Sequence, residues 1–405
     1  MLRFAAFFIA CAACAQDSES SLSMPVTLSG GAFYSDRLQL RNPDASPGAA
    51  AFRAMLYPTL KLGSHWFAYA AVQVRSMPYF YYDAFLPDRG VDTDVIQEFV
   101  GYSAHRGKFS MVLKAGRLVS AFGSFPLRYD DAENPLLDQP LAYITEVPLR
   151  ADQIPCGTAD LRSQFYGSVG NACGGTPGRG PGLQPVTLYG LPGFEADISD
   201  GRVDARLQLT SGSPANPQGF GAIPDSLQWT AGAGYSIRQG FRVGVSGFRG
   251  PYLEPSLAPL LPAGSSLRDF PASGIGVDAQ WARGHWNTTG EWQRFHFDSP
   301  NFVLAPSIDA GYVEVKRILT PRYYVAGRLG YLDTGSVLDR SGVAAGSFGA
   351  LMHSYELGGG AWLNRSMLIK ASYSWLRPEG SSGSRLDIFG VQFVATIKSL
   401  DWAFQ

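Results

Sequence analysis

Apolar and polar residues alternate one for one through most of the chain beyond residue 25, and few folds tolerate that pattern at such length. In VDARLQLT (203–210), Val203, Ala205, Leu207 and Leu209 share one face, and Asp204, Arg206, Gln208 and Thr210 the other. Leu227, Trp229, Ala231, Ala233, Tyr235 and Ile237 repeat the pattern against Gln228, Thr230, Gly232, Gly234 and Ser236. Near the end, Phe389, Val391, Phe393, Ala395 and Ile397 alternate with Gly390, Gln392, Val394, Thr396 and Lys398. Side chains that point alternately to two faces make these segments strands with one apolar and one polar surface. Past the N-terminal leader, no run approaches the about 18 consecutive apolar residues of a spanning helix.

The connections narrow the fold further. Seven are short and polar: 63–65, 105–108, 200–202, 238–240, 282–284, 320–322 and 364–366. Between them lie long connections rich in Pro, Gly, Asp and Ser, at 36–48, 81–93, 119–184, 213–225, 251–270, 299–305, 334–350 and 378–384. Seven hairpins, one strand before them (25–35) and one after (385–398) give sixteen strands, with both termini on the short-turn side. A soluble sandwich or propeller has no reason for this one-sided asymmetry, whereas an outer-membrane β-barrel has short periplasmic turns and long outer loops. In hydrocarbon an unpaired backbone group costs several kcal/mol, so the first strand must pair with the last. Sixteen strands enclose a lumen too wide for side chains to fill. The expected fold class is therefore all-β: a closed antiparallel transmembrane β-barrel over 25–405, preceded by a short segment 16–24.

Composition agrees. Charged residues make up 17 %, below the roughly 25 % of soluble proteins. With 45 % hydrophobic residues and a net charge of −1, the chain is neither disordered nor a nucleic-acid binder. Aromatics reach 13 %, and Trp66, Phe109, Phe241, Trp281, Trp286 and Tyr323 fall beside short turns, as an interfacial girdle requires. Tyr79–Tyr82, Tyr331, Tyr355 and Trp375 are placed to form the opposite ring.

Residues 1–15 (MLRFAAFFIACAACA) have the Arg3 n-region, apolar stretch and Ala13-Cys14-Ala15 cleavage site of a secretory signal peptide. Neither Cys11 nor Cys14 has the Leu three residues earlier that a lipoprotein site would carry. After cleavage Cys156 and Cys173 remain; in an exported chain they are expected to form a disulfide pinning a loop.

The chain at this point resembles a Gram-negative outer-membrane porin. Locally, Lys114-Ala-Gly-Arg-Leu-Val-Ser-Ala-Phe-Gly123 resembles the Gly-Arg…Phe-Gly segment that ends an early strand in phosphate-selective (O/P-type) porins. The resemblance implies passive passage of small hydrophilic solutes, an outer-membrane lipid environment, no cofactor, no catalysis and a possible homotrimer. Such barrels commonly end in a terminal aromatic. Here Trp402 and Phe404 share a parity but fall out of phase with Phe389–Ile397, which predicts a bulge near Ser399.

The connection 119–184 is far longer than a structureless loop should be without a function. It carries Arg128, Asp130, Asp131, Glu133, Asp138, Glu146, Arg150, Asp152 and Arg162. Part of it is expected to fold into the lumen and narrow it, its carboxylates facing lumen Arg and Lys across a transverse field; the other possibility is a cap over the mouth. Parity puts Arg53, Lys61, Arg75, Lys114, Glu195, Asp197, Asp204, Arg206, Arg242, Asp278, Glu291, Glu314, Lys316, Arg328, Glu356 and Lys370 on the lumen side. Nine basic and seven acidic groups give no ground for a charge preference. Constriction candidates are Arg117, where strand meets loop, with Arg128, Asp130, Asp131, Glu133, Arg150, Asp204, Arg206, Glu314, Lys316 and Arg328.

Enzymatic readings fare poorly. Among five histidines, His65, His105 and His285 lie at turns, and His353 and Ser354, being consecutive in a strand, point apart. The stretch CGGTPGRGPG lacks the strand–turn–helix setting of a phosphate cradle. No plug of about a hundred residues precedes the first strand, as a TonB-type receptor needs. The rivals that remain are a plugged surface barrel acting as adhesin or structural protein, and a secreted soluble β-protein.

Overall fold

The computed structural model describes residues 20–35, 47–77, 79, 90–161, 173–175, 182–186, 190–212, 227–349, 351–378, 385–398 and 401–403. The proposed leader 1–15 and Arg162 lie outside them.

The strands are β1 (Ser20–Ser23 and Val26–Tyr34), β2 (Gly48–Leu56 and Thr59–Leu62), β3 (Trp66–Met77), β4 (Gly90–Arg106), β5 (Phe109–Leu118), β6 (Leu191–Asp200), β7 (Val203–Ser211) and β8 (Leu227–Arg238). Then come β9 (Phe241–Pro251), β10 (Pro271–Arg283), β11 (Trp286–Phe297), β12 (Ser307–Ile318), β13 (Tyr323–Thr334), β14 (Met352–Asn364), β15 (Met367–Pro378) and β16 (Leu386–Ile397 and Asp401–Ala403). Each pairs antiparallel with its sequence neighbours, and β16 closes on β1 with Val26 opposite Ile397. The fold is a closed sixteen-stranded antiparallel β-barrel.

Local chemistry explains its irregularities. β1 and β2 break side by side at Pro25 and Pro58, which have no N–H for the ladder. β1 also begins earlier than the alternation suggests: Ser20–Ser23 pairs with both Thr59–Leu62 and Asp401–Ala403. Val26 faces Ile397 but Ser23 faces Asp401, so three steps on β1 match four on β16, and the expected slip falls between Ile397 and Asp401. Five of the seven short turns place a glycine at φ between 60° and 76°.

The outer face is apolar and exposed, as at Phe194, Leu207, Trp229, Val245, Leu329 and Phe389. The inner face of the same strands is polar, as at Gln208, Thr230, Ser246, Arg328 and Gln392. The aromatic girdle differs from expectation at Tyr79, which is turned into the lumen; Phe80, Tyr81 and Tyr82 lie outside the described residues. Tyr355 and Trp375 stack on the outside at 5.2 Å.

Candidate functional site

The described residues of the connection from β5 to β6 fall into two groups: those up to Tyr143 contact inward-facing side chains of the wall, and Val147, Leu149, Ile154 and Leu161 pack on the apolar residues towards the long-loop end. The connection's entry is set by strand parity. Lys114 and Gly116 of β5 face the lumen; Arg117, one residue out of phase, shares the outer face of Leu113 and donates from Nε to the Gly190 carbonyl (2.9 Å). Arg117 is thus not pore-lining, contrary to the sequence expectation, because extended backbone reverses direction at every residue. Gln208 then steers the chain inward, its Nε2 donating to Val119 O (2.9 Å) and its Oε1 accepting from Ala121 N (3.3 Å).

The Phe-Gly pair anchors the loop. Phe122 is fully buried between Phe248 and Phe295, with ring centroids 5.0 and 5.6 Å away. Gly123 has φ 77°, and a Cβ there would collide with Glu291 Oε1 and the Tyr143 hydroxyl. Its amide donates to Ser246 Oγ (3.1 Å), and the next amide, of Ser124, donates to Glu291 Oε1 (2.9 Å).

Two charged networks then bind the loop to the wall. In the first, Arg128 Nη1 donates to Glu314 Oε1 (2.6 Å), whose other oxygen accepts from Arg328 Nη2 (2.5 Å) and Nε (3.0 Å). Arg328 also reaches Glu356 (3.3 Å), Asn134 Oδ1 (3.0 Å) and the Asp138 carbonyl (2.8 Å), while Glu356 Oε1 accepts from the amides of Leu137 and Asp138. Burial and the adjacent Glu356 carboxylate push the Asp138 carboxyl up to about 8.

In the second network Arg53 Nε donates to Asp131 Oδ2 (2.9 Å), Tyr79 donates to the same oxygen (2.7 Å), and the Arg53 guanidinium stacks on Tyr129. Asp130 accepts from the Tyr57 hydroxyl. Lys370 Nζ donates to the carbonyls of Asp131 (2.7 Å), Asn134 (3.0 Å) and Leu136 (3.3 Å). Burial alone would raise the Asp131 carboxyl, but the Arg53 and Lys370 charges outweigh it and hold it below the ordinary range.

Among the described residues Asp131 is the loop carboxylate that touches a wall cation, Arg53, whereas Asp130 meets the Tyr57 hydroxyl and Asp138 accepts from the Gln139 amide. Arg53, Glu314, Arg328, Glu356 and Lys370 are at most 4 % exposed, far from solvated wall residues. Glu133 is exposed, with the Lys316 charge as its electrostatic neighbour. Arg150 also departs from expectation. It is buried in the second group and clasps Asp152 with two hydrogen bonds (2.7 and 2.8 Å). That group packs Val147, Leu149, Ile154 and Leu161 against inward-facing Phe297, Ile308 and Leu332, carries the Cys156–Cys173 disulfide, and ties Thr158 N to Asp339 (3.0 Å).

On the short-turn side of the loop the wall of β5–β10 keeps partly exposed charges. Lys114 bridges Glu195 and Asp197. Arg242 binds Asp204 with two hydrogen bonds (2.8 and 2.7 Å) and Asp278 with one (2.9 Å). Arg206, between them, makes no ion pair among the described residues. Side chains of Lys114, Arg242, Asp197 and Asp204 are 21, 25, 27 and 42 % exposed, whereas their partners Glu195 and Asp278 are buried. Of the sequence-derived candidates, then, Arg128, Glu314 and Arg328 meet in one network, Asp130 and Asp131 belong to the next, and Asp204 and Arg206 stand apart on the open wall. Sequence reasoning missed the neutral partners Tyr57, Tyr79, Tyr143, Asn134 and Gln208. Their hydroxyls and amides carry no charge pattern to betray them.

No protein-family model and no curated protein matches the sequence. Solved structures match in fold. The outer membrane channel DcaP of Acinetobacter baumannii superposes with TM-score 0.56 at 9 % identity, covering 94 % of this chain and 98 % of its own. OmpT of Vibrio cholerae, an outer membrane protein, gives 0.55 at 9 % identity over 94 % and 99 %. Salmonella typhi OmpF, in complex with daunomycin, gives 0.54 at 9 % identity over 93 % and 97 %. The fold is porin-like.

Proposed function

We propose that the chain is an outer-membrane channel of porin type, exported by its leader, through which small hydrophilic or charged solutes diffuse passively along the wall of β5–β10. The observation that carries this reading is the row Lys114, Asp197, Asp204, Arg206 and Arg242, partly exposed on the inner face of strands whose outer face is apolar. Charges kept hydrated inside a wall this wide favour an aqueous lane. The loop networks act as its fixed inner boundary. No step of chemistry is needed and none is proposed. A trimer form is known for Vibrio cholerae OmpT, and a homotrimer is proposed here on that likeness alone.

The apolar packing of Phe122, Phe248, Phe295 and Phe297 favours a second reading, a plugged surface barrel whose loops bind a partner. Planar-bilayer recording separates the two. A channel opens discrete current steps, and deleting residues 125–180 enlarges them. Absence of steps in the intact chain would support the plugged barrel; steps unchanged by the deletion would remove the loop as a boundary.

A further inference from the structure

At the short-turn end of the barrel, three neighbouring strands place Arg283 (β10), Trp286 (β11) and Arg317 (β12) in one row, with Arg283 opposite Trp286 and Trp286 opposite Arg317. Directly paired residues share a face. It is the outer one here, since Thr289 and Glu291 of β11 point inward at the other parity. All three side chains are exposed, and the Arg317 guanidinium lies 4.8 Å from the Trp286 ring centre. Together with Trp281, His285 and Leu319 they line a groove that contains no carboxylate. Neither arginine forms an ion pair among the described residues, so the two guanidinium groups flank the Trp286 strand with no carboxylate lining the groove between them. Further along the same face the surface becomes apolar at Ala279 and Val313.

We infer that this groove binds the phosphodiester headgroup of a glycerophospholipid in the periplasmic leaflet. The inference rests on the reading that the outer face meets lipid. Two guanidinium groups present forked donors that match phosphate oxygens, and Arg is the side chain best suited to that geometry. Tryptophan belongs at headgroup depth, its ring apolar and its N–H polar. Acyl chains would run along the apolar face beyond. The setting fits the rest of the rim, because short turns two to seven each carry an exposed basic residue: Arg106, Arg202, Arg238, Arg283, Arg322 and Arg365. Arg106 and Arg238 also face a ring, Phe109 and Phe241, but across those rings stand Asp200 and Trp281 rather than a second arginine, which marks the β10–β12 groove as the specific position on the rim.

The test uses the full chain purified in dodecyl maltoside and titrated with dioleoylphosphatidylglycerol, with bound lipid counted by native mass spectrometry. Dioleoylglycerol supplies the acyl chains without the phosphate, and inorganic phosphate supplies the anion without the chains. The wild type should hold one phosphatidylglycerol about tenfold more tightly than dioleoylglycerol, and R283Q/R317Q should lose that preference while R365Q keeps it. Heat-modifiable mobility on gels confirms that each variant is folded. Equal phosphatidylglycerol binding by R283Q/R317Q and wild type would overturn the assignment. Inorganic phosphate binding as tightly as the lipid would make this a free-anion site and overturn the lipid claim. Single-channel conductance of the same preparation is independent: loss of current in the wild type refutes the channel reading, whereas unchanged current in R283Q/R317Q is expected of an outward-facing site.

Discussion

Lys370 offers the sharpest test of how the loop is held. Its ammonium is 1 % exposed and donates to three loop carbonyls, two of them within 3.0 Å. Lys370→Met keeps the length of the side chain and removes all three donors at once. Each buried carbonyl left without a partner costs about 1–3 kcal/mol. Against that, the buried charge disappears and its desolvation penalty with it. Asp131 is not orphaned, because Arg53 and Tyr79 still hold its carboxylate. The balance destabilises the docked loop by about 3 kcal/mol, at the low end of the loss when one partner of a buried polar set is removed. That corresponds to roughly a hundredfold rise in the detached population. Hydrogen exchange of peptides covering 129–138 reads it directly, since the amides of Leu137 and Asp138 are protected by Glu356 only while the loop is docked. Lys61→Met is the control, a lumen-parity lysine that is exposed. Exchange in K370M indistinguishable from wild type, with unaltered current, would refute the claim that this lysine fastens the loop.

Other consequences follow from the same contacts. Gly123→Ala forces a side chain into positive φ and onto Glu291 and Tyr143, so thermal stability should fall by about 1–2 kcal/mol or more; a wild-type melting curve would show that the loop relaxes freely there. Asp138 binds its proton more tightly in the docked loop (about 8) than in solvent, where an aspartate titrates near 3.9. The docked state thus holds extra proton between those values, so docking should weaken as pH rises from about 4 to 8 and level off above. Asp131, held low, opposes this only under more acidic conditions. Exchange in D138N should lose the slope; an identical pH profile in D138N would exclude Asp138 as its source. Arg206→Gln should shift the zero-current potential in a salt gradient toward cations, and Arg117→Gln should leave it unchanged, because only the first faces the lumen. A shift with R117Q would invert the parity assigned to β5.

How much of this was legible in the chain depends on the range of the interaction. Strand number, turn positions and the face of nearly every strand residue come from neighbours two apart, and a pattern of that range survives in the sequence: Asp204 and Arg206 lie where alternation put them. The late slip in β16 was readable for the same reason, as a break in phase before Trp402. The interior of the long-loop half was not. There Phe248, Phe295 and Phe297 continue the lumen parity of Ser246, Glu291 and Gln293, so the inner face changes from polar to apolar partway along a single strand. Alternation marks which residues share a face but carries no sign for what that face touches, and the partner of Phe248 and Phe295, Phe122, is more than a hundred residues away in a connection with no periodicity. The same blindness misassigned the charges. Arg328 and Lys370 have the sequence signature of solvated lumen residues, and only the arrival of Asn134, Asp138 and the Asp131 carbonyl turns them into buried anchors. A barrel wall is thus specified locally, whereas what fills it is specified by contacts between wall and loop. The loop contacts, rather than the strand pattern, set which lumen charges remain wet, and those in turn decide which substitutions should change the current and which should change only the loop's hold.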